Sequence, residues 1–322
     1  MQRRQLAVGA AAALVSPWLR AQTAPTGPVR IIVGFAPGGG TDILARVLGQ
    51  KLGQLWNTLV IVENKAGATG TLAADFVARQ APDGNTLLMA HINSHAIAPA
   101  LMPKIPYDAE RDFSALSLVG VTPNLLICNT SQSARTVADV VALCRKQPGA
   151  ISFGSAGNGS AQHLALEMFK LAAKVDAIHV PYKGSGPMLT DLIGGQINYS
   201  FDTMTAATPH VKSGKVIAVA QTRPARAKGH PNVPTMAESG FPGFDATTWY
   251  GLVGPARMAP GLVRRINEDV NKVLLMPDVM DKLEQSGAED GGGSAEKFAA
   301  FIQTEVRKWA RVVKEANVKV DS

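Results

Sequence analysis

The sequence reads as an α/β protein of two lobes. Strand-like apolar runs alternate with helix-like periodicities, and hydrophobic residues make up 46% of the chain while aromatics make up only 6%. A length of 322 residues exceeds what one hydrophobic core usually supports. Intrinsic disorder and collagen are excluded: one needs low hydrophobicity with high net charge, the other a glycine at every third position, and here there are 31.

Val29–Val33 is an apolar run followed by Gly38-Gly39-Gly40-Thr41-Asp42, after which Ile43, Leu44, Val47, Leu48 and Leu52 recur at helical spacing. The same strand, glycine loop and helix return in residues 59–62, 67–71 and 72–79, and Pro82-Asp83-Gly84 turns the chain into a third strand, 86–90. A second series follows residue 124: strand 124–128, helix Val137–Lys146, strand 151–154, helix Ala161–Ala173, strand 177–180, loop 181–187, helix 188–194 and strand 197–201. Strands Val216–Gln221 and 249–253 and two amphipathic helices, 260–275 and 295–316, close the chain. Strands alternating with helices imply a parallel sheet with ligands at its carboxyl edge. No fixed-period repeat indicates a solenoid.

Residues 1–21 carry Arg3-Arg4, an apolar stretch over 6–15 and the segment Leu19-Arg20-Ala21, which reads as an exported leader. The apolar stretch is too short to span a bilayer. The arginine pair leaves both the general secretory and the twin-arginine route open. Cleavage would leave a formal charge of +4, three below the +7 of the whole chain. No charge run or basic–aromatic interleaving indicates nucleic acid. The two cysteines, Cys128 and Cys144, are placed on a strand and a helix. An oxidising compartment permits them to pair, with free buried thiols as the alternative.

Three glycine-rich loops open helices: 36–42, 67–71 and 155–160. A helix N-terminus leaves unpaired N–H groups and a partial positive charge, and glycine lets an anion approach them, although the same residues also serve plain capping. The first and third loops, in different halves, could face each other across a cleft.

Enzyme motifs do not fit these residues. Glycine stands where a P-loop needs lysine, the spacing of Gly34, Gly38, Gly39 and Gly40 is not a dinucleotide fingerprint, and Gly154-Ser155-Ala156-Gly157 lacks the first glycine of a nucleophile elbow. His91 and His95 are four apart without the glutamate of a zinc-protease helix. His163 and His179 read as structural. Trp249 and Tyr250 lie in an apolar run, where core is the ordinary role, yet Trp249 also falls where the chain would cross between lobes and is a candidate cleft wall.

Taken in order, Gly34-Phe35-Ala36-Pro37-Gly38-Gly39-Gly40-Thr41-Asp42, Glu63-Asn64-Lys65-Ala66-Gly67, Pro82-Asp83-Gly84, Pro181-Tyr182-Lys183-Gly184, Asp191-Leu192-Ile193-Gly194-Gly195-Gln196 and Val233-Pro234-Thr235 resemble the Bug family, the extracytoplasmic solute receptors of tripartite tricarboxylate transporters. The resemblance covers essentially the whole chain after the leader. It implies a two-lobed periplasmic-binding-protein fold of the type II Venus-flytrap kind, closing on a small carboxylate and working as a monomer with membrane transporter subunits, without cofactor, metal or catalysis. It places Phe35, Ala36, Gly38, Gly39 and Asp42 on one side of the cleft and Ser155, Gly157, Asn158, Tyr182, Gly184 and Asp202 on the other. The segments His91-Ile92-Asn93-Ser94, with Asn93 as a site candidate, and Asp202-Thr203 would lie near the cleft and choose the ligand.

The expected division is 22–124 with 246–322 as lobe 1 and 125–245 as lobe 2, the chain crossing near Asn124 and Ala246. The expected chemistry is reversible capture of anionic oxygens by the N–H groups that start the helices after Gly40 and Ser160. Asp202 would accept from an ammonium or hydroxyl if it points into the cleft, and otherwise ends a strand. A ligand-sensing receptor for a membrane two-component system and an exported carboxylate-processing enzyme are the rival functions.

Overall fold

The computed structural model describes residue 25, residues 27–102 and residues 104–315. The expected leader, 1–21, and residue 316, the end of the last expected helix, lie outside the described residues. The chain runs β1 (Val29–Val33), α1 (Gly40–Trp56), β2 (Val60–Asn64), α2 (Thr71–Ala78) and β3 (Thr86–His91), then a π-helical turn (Asn93–Ile97) and α3 (Ala98–Leu101). β4 (Phe113–Asn129) opens a second series of α4 (Val137–Lys146), β5 (Ser152–Ser155), α5 (Ala161–Ala173), β6 (Ile178–Pro181), α6 (Ser185–Ile193), β7 (Tyr199–Thr203), α7 (Met204–Lys212) and β8 (Val216–Gln221). β9 (Thr247–Pro255), α8 (Pro260–Leu274), α9 (Pro277–Gln285) and α10 (Ala295–Glu315) follow.

The sheet order is β2-β1-β3-β9-β4-β7-β5-β6, with β8 also paired to β4. Within the βαβ units the strands are parallel, as the alternation predicts. The expectation of a parallel sheet throughout is corrected at the centre, where β9 runs antiparallel to β3 and β4, and β4 antiparallel to β7 and β8. Periodicity reports which faces a strand buries and says nothing of its neighbour's direction. β3, with every residue buried, lies between parallel β1 and antiparallel β9 and is covered on both faces.

β4 is the element that joins the halves. Its residues 113–123 pair with β9, whereas residues 124–129 pair with β7 on one side and β8 on the other. Pro123 stands where the partner changes, the place in a sheet at which a missing N–H is tolerated. Here the returning chain is tied down. Thr222 Oγ1 accepts from Asn124 N at 2.9 Å and donates to Ala246 O at 3.0 Å, and Asn124 Nδ2 donates to Ala246 O at 2.7 Å.

Two apolar clusters cover the faces of the first half, one under α1 and α8 with Leu48, Leu252 and Ile266, the other under α2 and α10 with Leu88, Trp249, Phe298 and Trp309. Two more cover the second half, around Phe153, Phe169, Tyr199 and Phe201 and around Leu125, Met188 and Leu192. Each fully buried side chain of this size stabilises by about 2–3 kcal/mol. Cys128 and Cys144 both lie in the second half's core as free, buried thiols, and burial pushes the Cys128 thiol up to about 11.

Candidate functional site

The first wall grows from the turn between β1 and α1. Asp42, in the first turn of α1, accepts from Gly38 N at 3.0 Å, from Arg46 at 3.0 and 2.8 Å and from Asn64 Nδ2 at 2.9 Å. Asn64 Nδ2 also reaches Phe35 O at 3.0 Å. Burial works against the Asp42 charge, but these bonds outweigh it and hold the carboxyl below its usual range. Both oxygens are engaged within the loop, so Asp42, expected as a ligand group, instead shapes the turn that presents Phe35 to Gly40. No side chain fits at Gly40, where a Cβ would fall 2.2 Å from the Tyr250 hydroxyl oxygen. The first N–H groups of α1 have no partner within their own helix.

The opposing wall comes from the loops after β5 and β6. Ser155 Oγ contacts His179 Nε2 at 2.6 Å and accepts from Gly157 N at 3.1 Å, holding the 156–159 turn from behind. Gly159 N donates to His163 Nδ1 at 3.1 Å, and the His163 and His179 rings stack at 3.8 Å. Both imidazoles are therefore structural, as expected, and burial depresses both. Tyr182 donates to Asp191 at 2.8 Å. α6 begins at Ser185, not at 188, so its N-terminus faces that of α1.

Between the walls lies a cavity of about 630 Å³. Phe35 and Ala36, the 67–69 turn, the 156–158 turn and Pro181, Tyr182 and Lys183 line it. Inward of it is a chamber of about 10 Å³, room for roughly one water-sized group, bounded by Phe35, Gly39, Gly40, Thr41, His91, Ala156, Gln162, Ser185, Thr203 and Tyr250. No Lys or Arg stands in the chamber wall. Its polar groups are hydroxyls, an amide, an imidazole and the start of α1, a neutral set suited to an anion by hydrogen bonding.

The walls also touch each other. Ala36 N donates to Lys183 O at 3.1 Å and Thr69 Oγ1 to Asn158 O at 2.7 Å. A Cβ on Gly186 would lie 2.1 Å from Pro37 O, so these loops meet backbone to backbone.

The structure thus brings Phe35, Ala36, Gly39, Gly157, Asn158 and Tyr182 to the cavity or chamber. Gly38 and Gly184 lie in the seam between the loops. Asn93, fully buried, uses Oδ1 to accept from Ala161 N at 2.9 Å. The α5 N-terminus, expected to hold anion, is instead capped from the other half of the molecule. Asp202 sits behind the chamber: its Oδ1 accepts from Ser185 Oγ at 2.5 Å, Thr203 N at 2.8 Å and Gln162 Nε2 at 3.5 Å. Burial raises its pKa to about 7 against those bonds. Trp249 is corrected outright. It lies on the face of β9 opposite Tyr250, its ring against Phe298 and Phe301 and its indole N–H on Glu305 at 3.2 Å.

Sequence reasoning missed Thr41, Gln162, Ser185 and Tyr250 as wall residues, whereas His91 and Thr203 stand in the two segments expected near the cleft. Ser185 carried a usable signal, a serine after glycine at a helix start. The 67–71 loop reads in sequence as a glycine turn at a helix start, and its residues 67–69 form part of the cavity wall.

Over residues 43–318 the sequence matches the model of the tripartite tricarboxylate transporter family receptor. This chain belongs to that receptor family. The receptor is 35% identical over 312 residues to BugT of Bordetella pertussis, covering 97% of this chain and 95% of that one. An R. palustris protein solved with adipate superposes with a TM-score of 0.89 at 32% identity, over 92% of this chain and 99% of its own. MatC from Rhodopseudomonas palustris, solved with bound malate, gives 0.84 at 32% identity, over 90% and 99%. The receptor accordingly has the two-lobed periplasmic-binding-protein fold. Among its described residues no helix is long and apolar enough to cross a membrane, and no group of three or more His, Cys, Asp or Glu could hold a metal.

Proposed function

We propose that this receptor is exported, captures a small organic carboxylate between its lobes as a monomer, and delivers it to membrane transporter subunits without chemical change. The observation that carries the reading is the cleft itself: a neutral, donor-rich chamber at the start of α1 opening into a larger, mostly apolar cavity. Anionic oxygens would accept from the α1 N–H groups and from hydroxyls, and exclusion of water on closure would strengthen those bonds. Carboxylates bound to the two R. palustris relatives support this choice of ligand class.

Residues 22–124 with 246–322 would form one moving body and 125–245 the other, turning about the Asn124, Thr222 and Ala246 knot. Phe35, Ala36, Gly39, Gly157, Asn158 and Tyr182 would touch the ligand, with Gly38, Asp42, Asn93, Ser155, Gly184 and Asp202 holding the walls that do so. A thermal-shift panel of malate, adipate, citrate, benzoate and amino acids tests the reading. A ligand at a hundred times its Kd stabilises by about 2.7 kcal/mol, a rise of about 4 °C for a chain of this size. Absence of any shift across the carboxylates would sink it.

A further inference from the structure

We infer that His91 selects what enters the buried end of the cleft, its neutral imidazole donating Nε2–H to an anionic oxygen of the captured carboxylate. The inference rests on the capture reading and adds the residue and the chemistry by which the inner end of the ligand is read.

His91 closes β3 at the carboxyl edge of the sheet, is 3% exposed and lines the chamber. Its Nδ1 accepts the main-chain N–H of Asn93 at 3.1 Å, a bond that requires a bare nitrogen there. The ring proton therefore sits on Nε2, at the edge turned away from that bond. Nε2 makes no hydrogen bond to another described residue; Phe35 meets the ring edge-on at 5.2 Å and Tyr250 tilts against it at 5.2 Å. The two aromatic neighbours leave the ring little freedom to turn, so the donor is held in place before the ligand arrives.

The surroundings say what that donor serves. No Lys or Arg reaches the chamber, so an anion there must be held by neutral donors. The start of α1 supplies main-chain donors from one direction and His91 a side-chain donor from another. Burial keeps the imidazole uncharged, depressing its pKa to about 3. The start of α1 and the imidazole N–H offer donors to a carboxylate oxygen, where an ammonium would face the imidazole N–H and the positive end of the helix; Gln162 Oε1 is an acceptor in the same wall. With room for about one water-sized group, the chamber would take a single oxygen of the carboxylate and leave the rest of the molecule in the outer cavity.

The test compares wild type with His91→Phe and His91→Gln by calorimetry, using whichever of malate, adipate, citrate or benzoate gives the largest thermal shift. His91→Phe keeps a ring for Phe35 and Tyr250 but loses the donor. It should raise Kd by about 10- to 100-fold, the cost of one hydrogen bond to a charged group, whereas His91→Gln, which retains a donor, should recover part of the loss. Nitrogen-15 spectra of the wild-type imidazole at pH 7 give a readout that does not depend on a variant folding. They should show the neutral ring with its proton on Nε2, and that resonance should move on adding the carboxylate. Binding by a folded His91→Phe within threefold of wild type, or a proton on Nδ1, overturns the inference while leaving capture intact. Failure of wild type to bind any of the four acids overturns the capture reading and this inference with it.

Discussion

Asp202 shows how one buried carboxyl can organise a chamber without lining it. Its pKa of about 7 in the folded protein lies above the ordinary aspartate value, so the folded state holds the proton more tightly than the unfolded chain does. The associated stability is fully present below about pH 4 and is lost as pH rises through 7. Across that window the slope reaches about 1.4 kcal/mol per pH unit. Asp202→Asn keeps an acceptor for Ser185 and cannot ionise, so its melting temperature should fall less than that of wild type between pH 5 and 8; parallel profiles would exclude the effect. At this scale the glycines and Phe35 were legible because main-chain turns leave local signatures. The placements of Asn93 and Trp249 were not, and Asp202 stayed open between cleft and strand end, because the direction of a side chain depends on which face of a strand or turn meets the cleft. Trp249 and Tyr250 are neighbours in sequence and point to opposite faces of β9.

At the level of elements, closure depends on two loops that meet through their main chains. A side chain at Gly186 would strike Pro37 O, so Gly186→Val should disfavour the closed form and weaken carboxylate binding by at least about tenfold, the effect of a 1.4 kcal/mol penalty on that state. Its ligand-free melting temperature should stay near that of wild type, and a valine variant with unchanged Kd would show that the loops separate without loss. The sequence places α6 too late because Pro187 looks like a boundary, although proline is accommodated in a first helical turn whose N–H groups have no intrahelical partner. It also divides β4 at residue 124, where the structure keeps one strand and changes its partners.

Across the whole molecule, the two halves are joined by β4 and by the chain returning through Thr222 and Ala246, next to which Glu289 pairs with Val121 of β4. Arg223 and Glu289 add an ion pair at 2.8 Å beside this junction. If the halves move as proposed, small-angle scattering with a saturating carboxylate should give a smaller radius of gyration than the ligand-free protein, near about 19 Å for a compact chain of this length. An unchanged radius would remove hinge closure. The amino-acid sequence alone determined the alternation of strands and helices, the glycine turns at helix starts and the receptor family, because each is written in short-range periodicity and in motif order. Only the tertiary structure decided that β9 and β4 run against their neighbours, that Asn93 caps α5 and that His91 faces the chamber. Those outcomes depend on contacts between residues as much as 165 positions apart, Leu88 and Val253, where the packing of both halves sets the geometry.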